Sequence, residues 1–314
     1  MNESNEIAKP TKIDKQMKPK EDIQIMTQKQ AKRSRSRRRR STVTVLLVTF
    51  VCAVGAVLLL YTILSAFGFH YVRSTSGDGV VKFLGWTNKD GSPVSGTLYY
   101  ENGLTAVVDS EAGTVTFSNG NIYEGPMSGL LMHGQGKMTY RNGDVYEGTF
   151  TAGVITGYGK FTYSDYDVYE GNLLNGVKHG NGTYTWSDGS YYTGNFENGL
   201  KDGQGKQVWS DGASYSGTYH EDSRDGQGTY TFSDGSTYTG DVKYDVREGH
   251  GTFTWANGES YTGEFKNNQP NGQGEYSWPS GRKYTGKFRD GVIVEEVASA
   301  LPSEPVSPIP DAAR

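Results

Sequence analysis

The sequence contains few of the residues that cross-link a small protein or interrupt its strands. Of its 314 residues, one is Cys and 10 are Pro. A single Cys excludes a disulfide framework, and so few Pro, with no three-residue glycine period, exclude a collagen triple helix. The aromatic content of 12% supplies enough apolar surface to fold, which excludes a wholly disordered chain.

Glycine and tyrosine are abundant instead. The chain has 43 Gly and 22 Tyr, and its glycine share is about twice that of an average protein. Glycine favours turns and aromatic residues favour strands. The composition therefore predicts turn-rich β-structure built on repeated glycine and aromatic positions.

Charge is distributed unevenly along the chain. Residues 1–40 carry 13 Lys and Arg against 5 Asp and Glu, so their net charge is near +8. The remaining residues carry 18 basic and 30 acidic side chains, a net charge near −12. Such asymmetry indicates that the two parts meet different partners. Residues 1–40, which are polar and almost free of aromatics, are predicted to be a disordered basic segment.

An uncharged stretch follows the basic segment. Residues 41–69 contain no Asp, Glu, Lys or Arg and are mostly Val, Leu, Ala, Ile and Phe. About 20 apolar residues span the hydrocarbon core of a bilayer. The stretch is long for a signal peptide and lacks a clear small-residue cleavage site. It is therefore predicted to be a transmembrane helix that makes the protein an integral, single-pass membrane protein.

The basic residues directly before this helix set its predicted orientation, because cationic flanks stay on the cytoplasmic side. The topology-setting residues are Arg37, Arg38, Arg39 and Arg40. The N-terminus is thus predicted to be cytoplasmic, with residues 70–314 outside.

The main feature of the sequence is a repeat with a 23-residue period. A Tyr-x-Gly triplet marks each unit. In the first seven units a Gly-x-Gly and then an aromatic residue follow the Tyr at fixed distances, as Tyr192, Gly203 and Trp209 illustrate. The repeat-defining pairs are Tyr123 and Gly125, Tyr146 and Gly148, Tyr169 and Gly171, Tyr192 and Gly194, Tyr215 and Gly217, Tyr238 and Gly240, Tyr261 and Gly263, and Tyr284 and Gly286.

Each unit has the pattern of a β-hairpin. Alternating residues flank a three-residue turn that ends in glycine, as at Gly189, which is typical of a type I turn with a glycine bulge. Alternation places Tyr192, Gly194 and Phe196 on one face, where a glycine leaves room for a ring to lie across the backbone. We expect the Gly-x-Gly to turn a longer loop. The fold class is an all-β repeat in which stacked hairpins bury a shared aromatic ladder.

The repeat weakens at both ends of the array. Residues 70–119 are predicted to be a linker and degenerate capping repeats, with Phe83, Gly85 and Gly96 still in register. The regular array covers residues 120–291. Residues 292–314 contain four prolines and are predicted to be a disordered tail.

These residues resemble the MORN (membrane occupation and recognition nexus) repeat. Tyr192-Thr-Gly-Asn-Phe196 followed by Gly203-Gln-Gly205 matches its pattern closely. The resemblance implies an elongated, twisted single sheet of tandem 23-residue β-hairpins, here preceded by one transmembrane α-helix. It also implies scaffolding and contact with membranes or proteins.

No residue pattern indicates chemistry. Gly281 to Lys287 fits the start of a phosphate-binding loop, but Phe288 stands where a Ser or Thr would contact Mg²⁺. We therefore predict no catalytic, cofactor-binding or metal-binding residues and no enzymatic activity. Recurring acidic residues fit turn chemistry and solubility, and alternatively a basic partner or weak Ca²⁺ binding. They are Asp188, Asp202, Asp211, Asp222, Asp225 and Asp234.

The sequence favours a membrane-tethered, non-catalytic scaffold that presents its sheet to a protein or polysaccharide partner of the cell envelope. An alternative is a lipid-binding or membrane-apposing repeat domain, which a net charge near −12 disfavours because anionic headgroups repel it. A third is an accessory to an envelope enzyme. No nucleic-acid partner is predicted, and the unpaired edge strands of an open sheet would allow edge-to-edge homodimers.

Overall fold

The structure is a computed structural model that describes residues 40–76, 79–294 and 307–309, with side chains from Leu47 onward. It divides into two units, residues 1–67 and residues 68–314. The predicted basic segment lies outside the described residues, apart from the backbone of Arg40. Most of the predicted tail also lies outside them.

The first unit contains one helix, α1, Arg40–Ala66. Its segment Leu47–Ala66 has a mean hydropathy of 2.6, so by length and composition it can cross a membrane. The helix ends three residues before the sequence boundary at Phe69. Gly68 takes a φ of +100°, a conformation that breaks a helix, and the first strand begins at Phe69.

The second unit is almost entirely β-structure. Its first strands are β1 (Phe69–Ser76), β2 (Gly79–Thr87), β3 (Pro93–Tyr100), β4 (Thr105–Asp109), β5 (Thr114–Phe117), β6 (Ile122–Glu124), β7 (Met127–Ser128) and β8 (Leu131–Met132). The middle strands are β9 (Gly134–Thr139), β10 (Val145–Thr151), β11 (Val154–Thr162), β12 (Val168–Leu174), β13 (Val177–Thr185), β14 (Tyr191–Glu197), β15 (Leu200–Val208) and β16 (Ser214–His220). The last are β17 (Ser223–Thr231), β18 (Thr237–Lys243), β19 (Val246–Thr254), β20 (Ser260–Lys266), β21 (Gln269–Ser277), β22 (Lys283–Arg289) and β23 (Val292–Ile293).

All but two of these strands form one sheet of 21 strands. Each strand pairs antiparallel with its neighbours in chain order, and β6 pairs with β9 around the small separate hairpin of β7 and β8. The predicted all-β repeat sheet of tandem hairpins is confirmed. The region predicted as linker and caps, residues 70–119, contributes β1 to β5 to this same sheet.

Seven-residue and nine-residue strands alternate through the regular array, and two kinds of turn connect them. The Gly189 turn has the predicted form: Gly189 N–H donates to the Trp186 carbonyl (3.0 Å), Trp186 N–H donates to the Ser190 carbonyl (2.9 Å), and φ of Gly189 is +89°. From the second unit onward, the opposite end of each unit has a two-residue turn with φ positive at both positions. Asn198 (+50°) and Gly199 (+90°) are one example, which defines a type I′ turn.

The expectation that Gly-x-Gly turns a longer loop is wrong. Gly203 and Gly205 lie inside strand β15. Gly194 pairs with Gly205 and Phe196 pairs with Lys201, so the register shifts between these pairs. Three residues of β15 thus lie opposite one residue of β14. A β-bulge of this kind needs one residue at positive φ, which Gly203 supplies at +92°.

Candidate binding surface: the aromatic face of the sheet

The repeated tyrosines lie flat on one face of the sheet, above glycines of two paired strands. A Cβ atom on Gly194 would lie 2.5 Å from the Gly205 Cα and 2.6 Å from the Tyr192 Oη. Only glycine at both positions lets the ring approach the backbone this closely. The degenerate unit keeps the arrangement, with Phe83 above Gly85 and Gly96.

The structure places the predicted repeat-defining residues together in this arrangement. Seven of the eight tyrosines are at most 1% exposed, and Tyr284, in the last unit, is half-buried. The seven are Tyr123, Tyr146, Tyr169, Tyr192, Tyr215, Tyr238 and Tyr261. Of the four arginines predicted to set the topology, Arg37, Arg38 and Arg39 lie outside the described residues, and the backbone of Arg40 begins α1.

Sequence reasoning missed the function of the tyrosine hydroxyl. In each of these seven units the tyrosine hydroxyl donates to the backbone carbonyl of the residue three positions further on. In the regular units that carbonyl lies at the register shift between the paired strands. Tyr192 Oη donates to the Asn195 carbonyl (3.0 Å) and Tyr169 Oη to the Asn172 carbonyl (2.7 Å). The hydroxyl satisfies a carbonyl that the bulge would otherwise leave without a partner. The exclusive use of Tyr rather than Phe in these units was the available signal.

Burial raises the pKa of these hydroxyls above the usual value of 10.0. Desolvation disfavours the phenolate and raises the pKa of Tyr169 and Tyr215 to about 12. The pKa values of Tyr192, Tyr238 and Tyr261 rise for the same first cause. The tyrosines therefore stay protonated and keep donating near neutral pH.

A second set of aromatic rings continues along this face. It occupies one repeat position, at the start of the three-residue turn, and we call it the aromatic row. Its members are Tyr140, Tyr163, Trp186, Trp209, Phe232, Trp255 and Trp278. Ring contacts link the row to strand residues, with centroids 4.8 Å apart for Tyr184 and Trp186 and 5.3 Å apart for Trp209 and Tyr230.

Four cations lie among these rings at one repeat position, which sequence reasoning also missed. We call Lys178, Lys201, Arg224 and Arg247 the cation row. Lys178 Nζ lies 4.6 Å from the Tyr184 ring centroid, and Lys201 Nζ lies 4.9 Å from that of Trp186. Cations over aromatic faces gain electrostatic stabilisation. These cations recur with the period of the repeat, which was the signal available in the sequence.

The two arginines of the cation row are buried, and the two lysines are half-buried. Arg224 is 5% exposed and Arg247 is 2% exposed. Arg224 Nε donates to Asp245 Oδ1 at 2.7 Å, and a terminal nitrogen of Arg247 donates to the Asn268 carbonyl at 3.0 Å. Burial lowers the pKa of Lys201 to about 8. The aromatic face therefore combines apolar rings with cations, although the array as a whole is acidic.

The recurring acidic residues act in turns and between hairpins. Carboxylates of Asp188, Asp211 and Asp234 accept backbone N–H groups two residues further on, at 2.8 to 3.0 Å. Asp222 accepts the Lys201 N–H at 2.8 Å, and Asp202 accepts the N–H of Glu221. Asp225 accepts the Tyr244 N–H. Among the described residues, no group of three or more His, Cys, Asp or Glu could hold a metal ion. These contacts favour turn chemistry over Ca²⁺ binding.

The geometry defines a class of protein: a β-hairpin repeat sheet with one glycine-backed aromatic face, which is a binding or scaffolding module. The family model for the MORN repeat matches seven consecutive segments. They are residues 131–145, 146–168, 169–191, 192–214, 215–237, 238–260 and 261–281. Residues 131–281 are therefore MORN repeats, as the sequence predicts, and the match begins within the first predicted unit, which starts at Tyr123.

Some solved structures are similar to the chain at low identity. The SAS-4 (dCPAP) TCP domain of Drosophila melanogaster, in complex with a proline-rich motif of Ana2 (dSTIL), is 18% identical. That alignment covers 49% of this chain and 85% of the other, with a TM-score of 0.33. The TCP10 domain of Danio rerio CPAP is 14% identical over 72% of this chain and all of the other, with a TM-score of 0.27.

A virginiamycin B lyase from Staphylococcus aureus is 14% identical, covering 66% of this chain and 74% of the other, with a TM-score of 0.14. Values of this size support no inference about partner or activity. Comparison with curated protein sequences gives no match.

Proposed function

We propose that the protein is a membrane-tethered, non-catalytic binding module that presents the aromatic face of its repeat sheet to a protein or polysaccharide partner outside the cytoplasm. The observation that carries this proposal is the aromatic row itself. Its rings Trp186, Trp209 and Phe232 are half-buried, and such rings supply rigid contact area at low entropic cost. An apolar helix long enough to cross a membrane precedes the sheet.

The binding part of the proposal is tested by comparing the two faces of the sheet. Full-length protein in detergent extract is cross-linked to its partners, with Trp209→Ala on the aromatic face and Lys206→Ala, an exposed residue of the opposite face, as the matched control. We expect Trp209→Ala to weaken capture at least tenfold and Lys206→Ala to leave it unchanged. Equal capture by both variants would exclude the aromatic face as the binding surface.

The orientation is tested by cysteine labelling, which the sequence makes simple. The only cysteine, Cys52, lies in α1 and is replaced by Ala. Glu111→Cys then places a thiol in an exposed turn, and Ser4→Cys places one in the basic segment. A membrane-impermeant maleimide should label Glu111→Cys in intact cells and label Ser4→Cys only after permeabilisation. The reverse pattern would overturn the orientation, and loss of the Ser4→Cys segment from the mature chain would identify a cleaved signal sequence.

Anionic vesicles distinguish this function from lipid binding by the repeats. Residues 41–314 carry a net negative charge, which anionic headgroups repel. We therefore expect the repeat sheet to add no salt-sensitive binding to anionic vesicles. The full chain is expected to insert into any vesicle through α1, so vesicle binding as such does not report on the repeats. The comparison is therefore between proteoliposomes made with neutral lipid and proteoliposomes made with anionic lipid. Protection of the repeats from protease by anionic lipid alone would favour the lipid-binding alternative.

A further inference from the structure

A short segment near the C-terminus lies on the aromatic face. Trp255 Nε1 donates to the Pro308 carbonyl at 3.0 Å, a contact between parts of the chain that are far apart in sequence. The Ser307 N–H donates to Tyr276 Oη at 3.2 Å, and Ile309 packs against the aromatic core. Three consecutive residues, Ser307 to Ile309, are thus held by three different contacts.

Trp255 is more deeply buried than the equivalent ring of an earlier unit. Trp255 is 8% exposed and Tyr276 is fully buried. Trp209 occupies the same repeat position as Trp255, two units earlier, and it is half-buried. Trp278, one unit later, is 4% exposed with the Arg282 guanidinium over its ring, so what distinguishes Trp255 is that its cover is a peptide segment, held through the Pro308 carbonyl.

The contacts match the chemistry of a proline-containing segment. Proline fixes φ and has no N–H, so it loses less entropy on binding and leaves no donor to satisfy. What remains to be satisfied is its carbonyl, to which the Trp255 indole N–H donates. Aromatic grooves that bind proline-rich segments also fix the peptide backbone through a polar ring atom; here the Pro308 ring itself is exposed, and the apolar contact comes from Ile309.

A buried carboxylate beside Trp255 adds selectivity for the residue before the proline. Glu259 is 8% exposed, and Asn257 Nδ2 donates to its Oε2 at 3.1 Å. Desolvation alone would raise the pKa of Glu259, but hydrogen bonds from the side chains of Ser307, Asn257 and Tyr276 lower it below its usual value. The residues equivalent to Glu259 one and two units earlier are Ser236 and Ala213. Among these three units, only the unit of Trp255 and Glu259 combines a tryptophan with a carboxylate.

We propose that Trp255, Glu259 and Tyr276 form a docking site for a Ser-Pro-containing peptide segment, which the chain's own Ser307–Ile309 occupies in cis and a partner's segment of the same chemistry occupies in trans. The cis contact acts as a cover that a partner must displace. The trans part rests on the proposed function, whereas the cis part concerns this chain alone.

The test uses full-length protein in detergent micelles with 5-fluorotryptophan at its five Trp positions. Fluorine NMR then reports each indole separately, and Trp255→Phe and Trp209→Phe assign the two signals that matter. Ile309→Asp removes the apolar anchor of the segment, and Ser307→Glu places a second carboxylate against Glu259. We expect both variants to shift the Trp255 signal to a solvent-exposed position and to leave the Trp209 signal unchanged.

A synthetic peptide with the sequence of residues 302–310 is then titrated into each protein. In Ile309→Asp it should restore the Trp255 signal, and the unsubstituted chain should need at least tenfold more peptide. A control peptide with Gly in place of Pro308 should bind at least tenfold more weakly. An unmoved Trp255 signal in both variants would overturn the cis contact.

If the Trp255 signal moves in the variants but no peptide restores it, the docking site is excluded and the contact of Ser307–Ile309 is only local packing. Urea unfolding of each variant checks that the sheet is intact, which separates release of the segment from loss of the fold. Failure here is also distinct from failure of the proposed function, because the maleimide labelling and the Trp209→Ala capture do not depend on Ser307–Ile309.

Discussion

At the scale of single residues, the array depends on contacts in which one tyrosine, two glycines and one carbonyl fit together. Glycine is required wherever a ring lies across the backbone, and the ring is tyrosine because its hydroxyl satisfies a carbonyl at the register shift. Spacing alone predicted the first of these requirements. It could not predict the second, because the bulge that leaves the carbonyl without a ladder partner was expected to be a loop.

Substitution of a ring-facing glycine tests the close approach. In Gly194→Ala the new Cβ would meet backbone atoms of Gln204 and Gly205 within 2.6 Å, so strands β14 and β15 must separate. We expect a loss of about 1–3 kcal/mol in the free energy of unfolding, as for overpacking of a dense interior. Urea unfolding followed by tryptophan fluorescence measures it.

Gly212 provides the control for that experiment. It has a φ of +87° and nothing within 4 Å of an added Cβ, and Asn tolerates this conformation. Gly212→Asn should therefore cost clearly less than Gly194→Ala. Equal losses for the two variants would mean that backbone conformation, and not the ring contact, requires glycine in the array.

Removal of one hydroxyl tests the hydrogen bond. Tyr192→Phe keeps the ring over its glycines and leaves the Asn195 carbonyl without its donor. We expect it to destabilise the protein by about 1 kcal/mol and to speed amide hydrogen exchange at the bulge in β15. Tyr284→Phe is the matched control, since the Tyr284 hydroxyl makes no such bond among the described residues. If it costs as much as Tyr192→Phe, the bond contributes nothing specific.

At the scale of the hairpin, each unit from the second onward has two turns that require positive φ, and only one of the two contains a residue at a fixed position that signals it. The glycine turn was predicted correctly, since its glycine stands at a fixed position. The type I′ turns were not predicted, because their first residue varies among Ala152, Asn175, Glu221 and others. Pairing of adjacent strands fixes that conformation whatever residue occupies it.

Ala152 is therefore a suboptimal turn residue. It has a φ of 51° before Gly153, a conformation that costs alanine more than asparagine. Ala152→Asn creates the Asn-Gly pair that type I′ turns favour and should stabilise the protein by about 0.5–1 kcal/mol. Asn175→Ala, at the equivalent position one unit later, should have the opposite effect. The two changes are compared by urea unfolding, and the same sign for both would contradict this explanation.

At the scale of the whole molecule, one long sheet places a threonine-containing polar face opposite a face of rings and cations. The uncharged helix and the 23-residue period were enough to predict the helix and the hairpin array. The cation row and the segment at Trp255 were not predicted. Arg247 becomes a buried cation only when rings of adjacent hairpins surround it, as Phe232, Tyr238 and Phe253 do.

The many buried tyrosines should make the protein sensitive to alkaline pH. Their pKa values are raised in the folded state, so the stability they contribute is fully present below pH 10 and is lost as pH rises through about 12 for Tyr169 and Tyr215. Lys201 acts oppositely, since its pKa of about 8 lies below the 10.5 of an exposed lysine, and its contribution to stability grows as pH rises between these values.

We therefore expect the free energy of unfolding to fall steeply above pH 10, together with late ionisation of tyrosine seen by absorbance near 295 nm. Urea titrations from pH 8 to 12 measure the first quantity. Ionisation of all tyrosines near pH 10 without loss of structure would contradict the burial of their hydroxyls.

The sequence by itself determined the period, the faces of the strands, the glycine turns and the place of the uncharged helix. These features depend on alternation within a strand and on conformations that only certain residues adopt, so they can be read within one unit. Only the tertiary structure decided the register shift at Gly203, the hydrogen bond of Tyr192, the surroundings of the cation row and the contact of Pro308 with Trp255. Those depend on which atoms of different hairpins or distant segments meet, and a one-dimensional pattern does not contain that information.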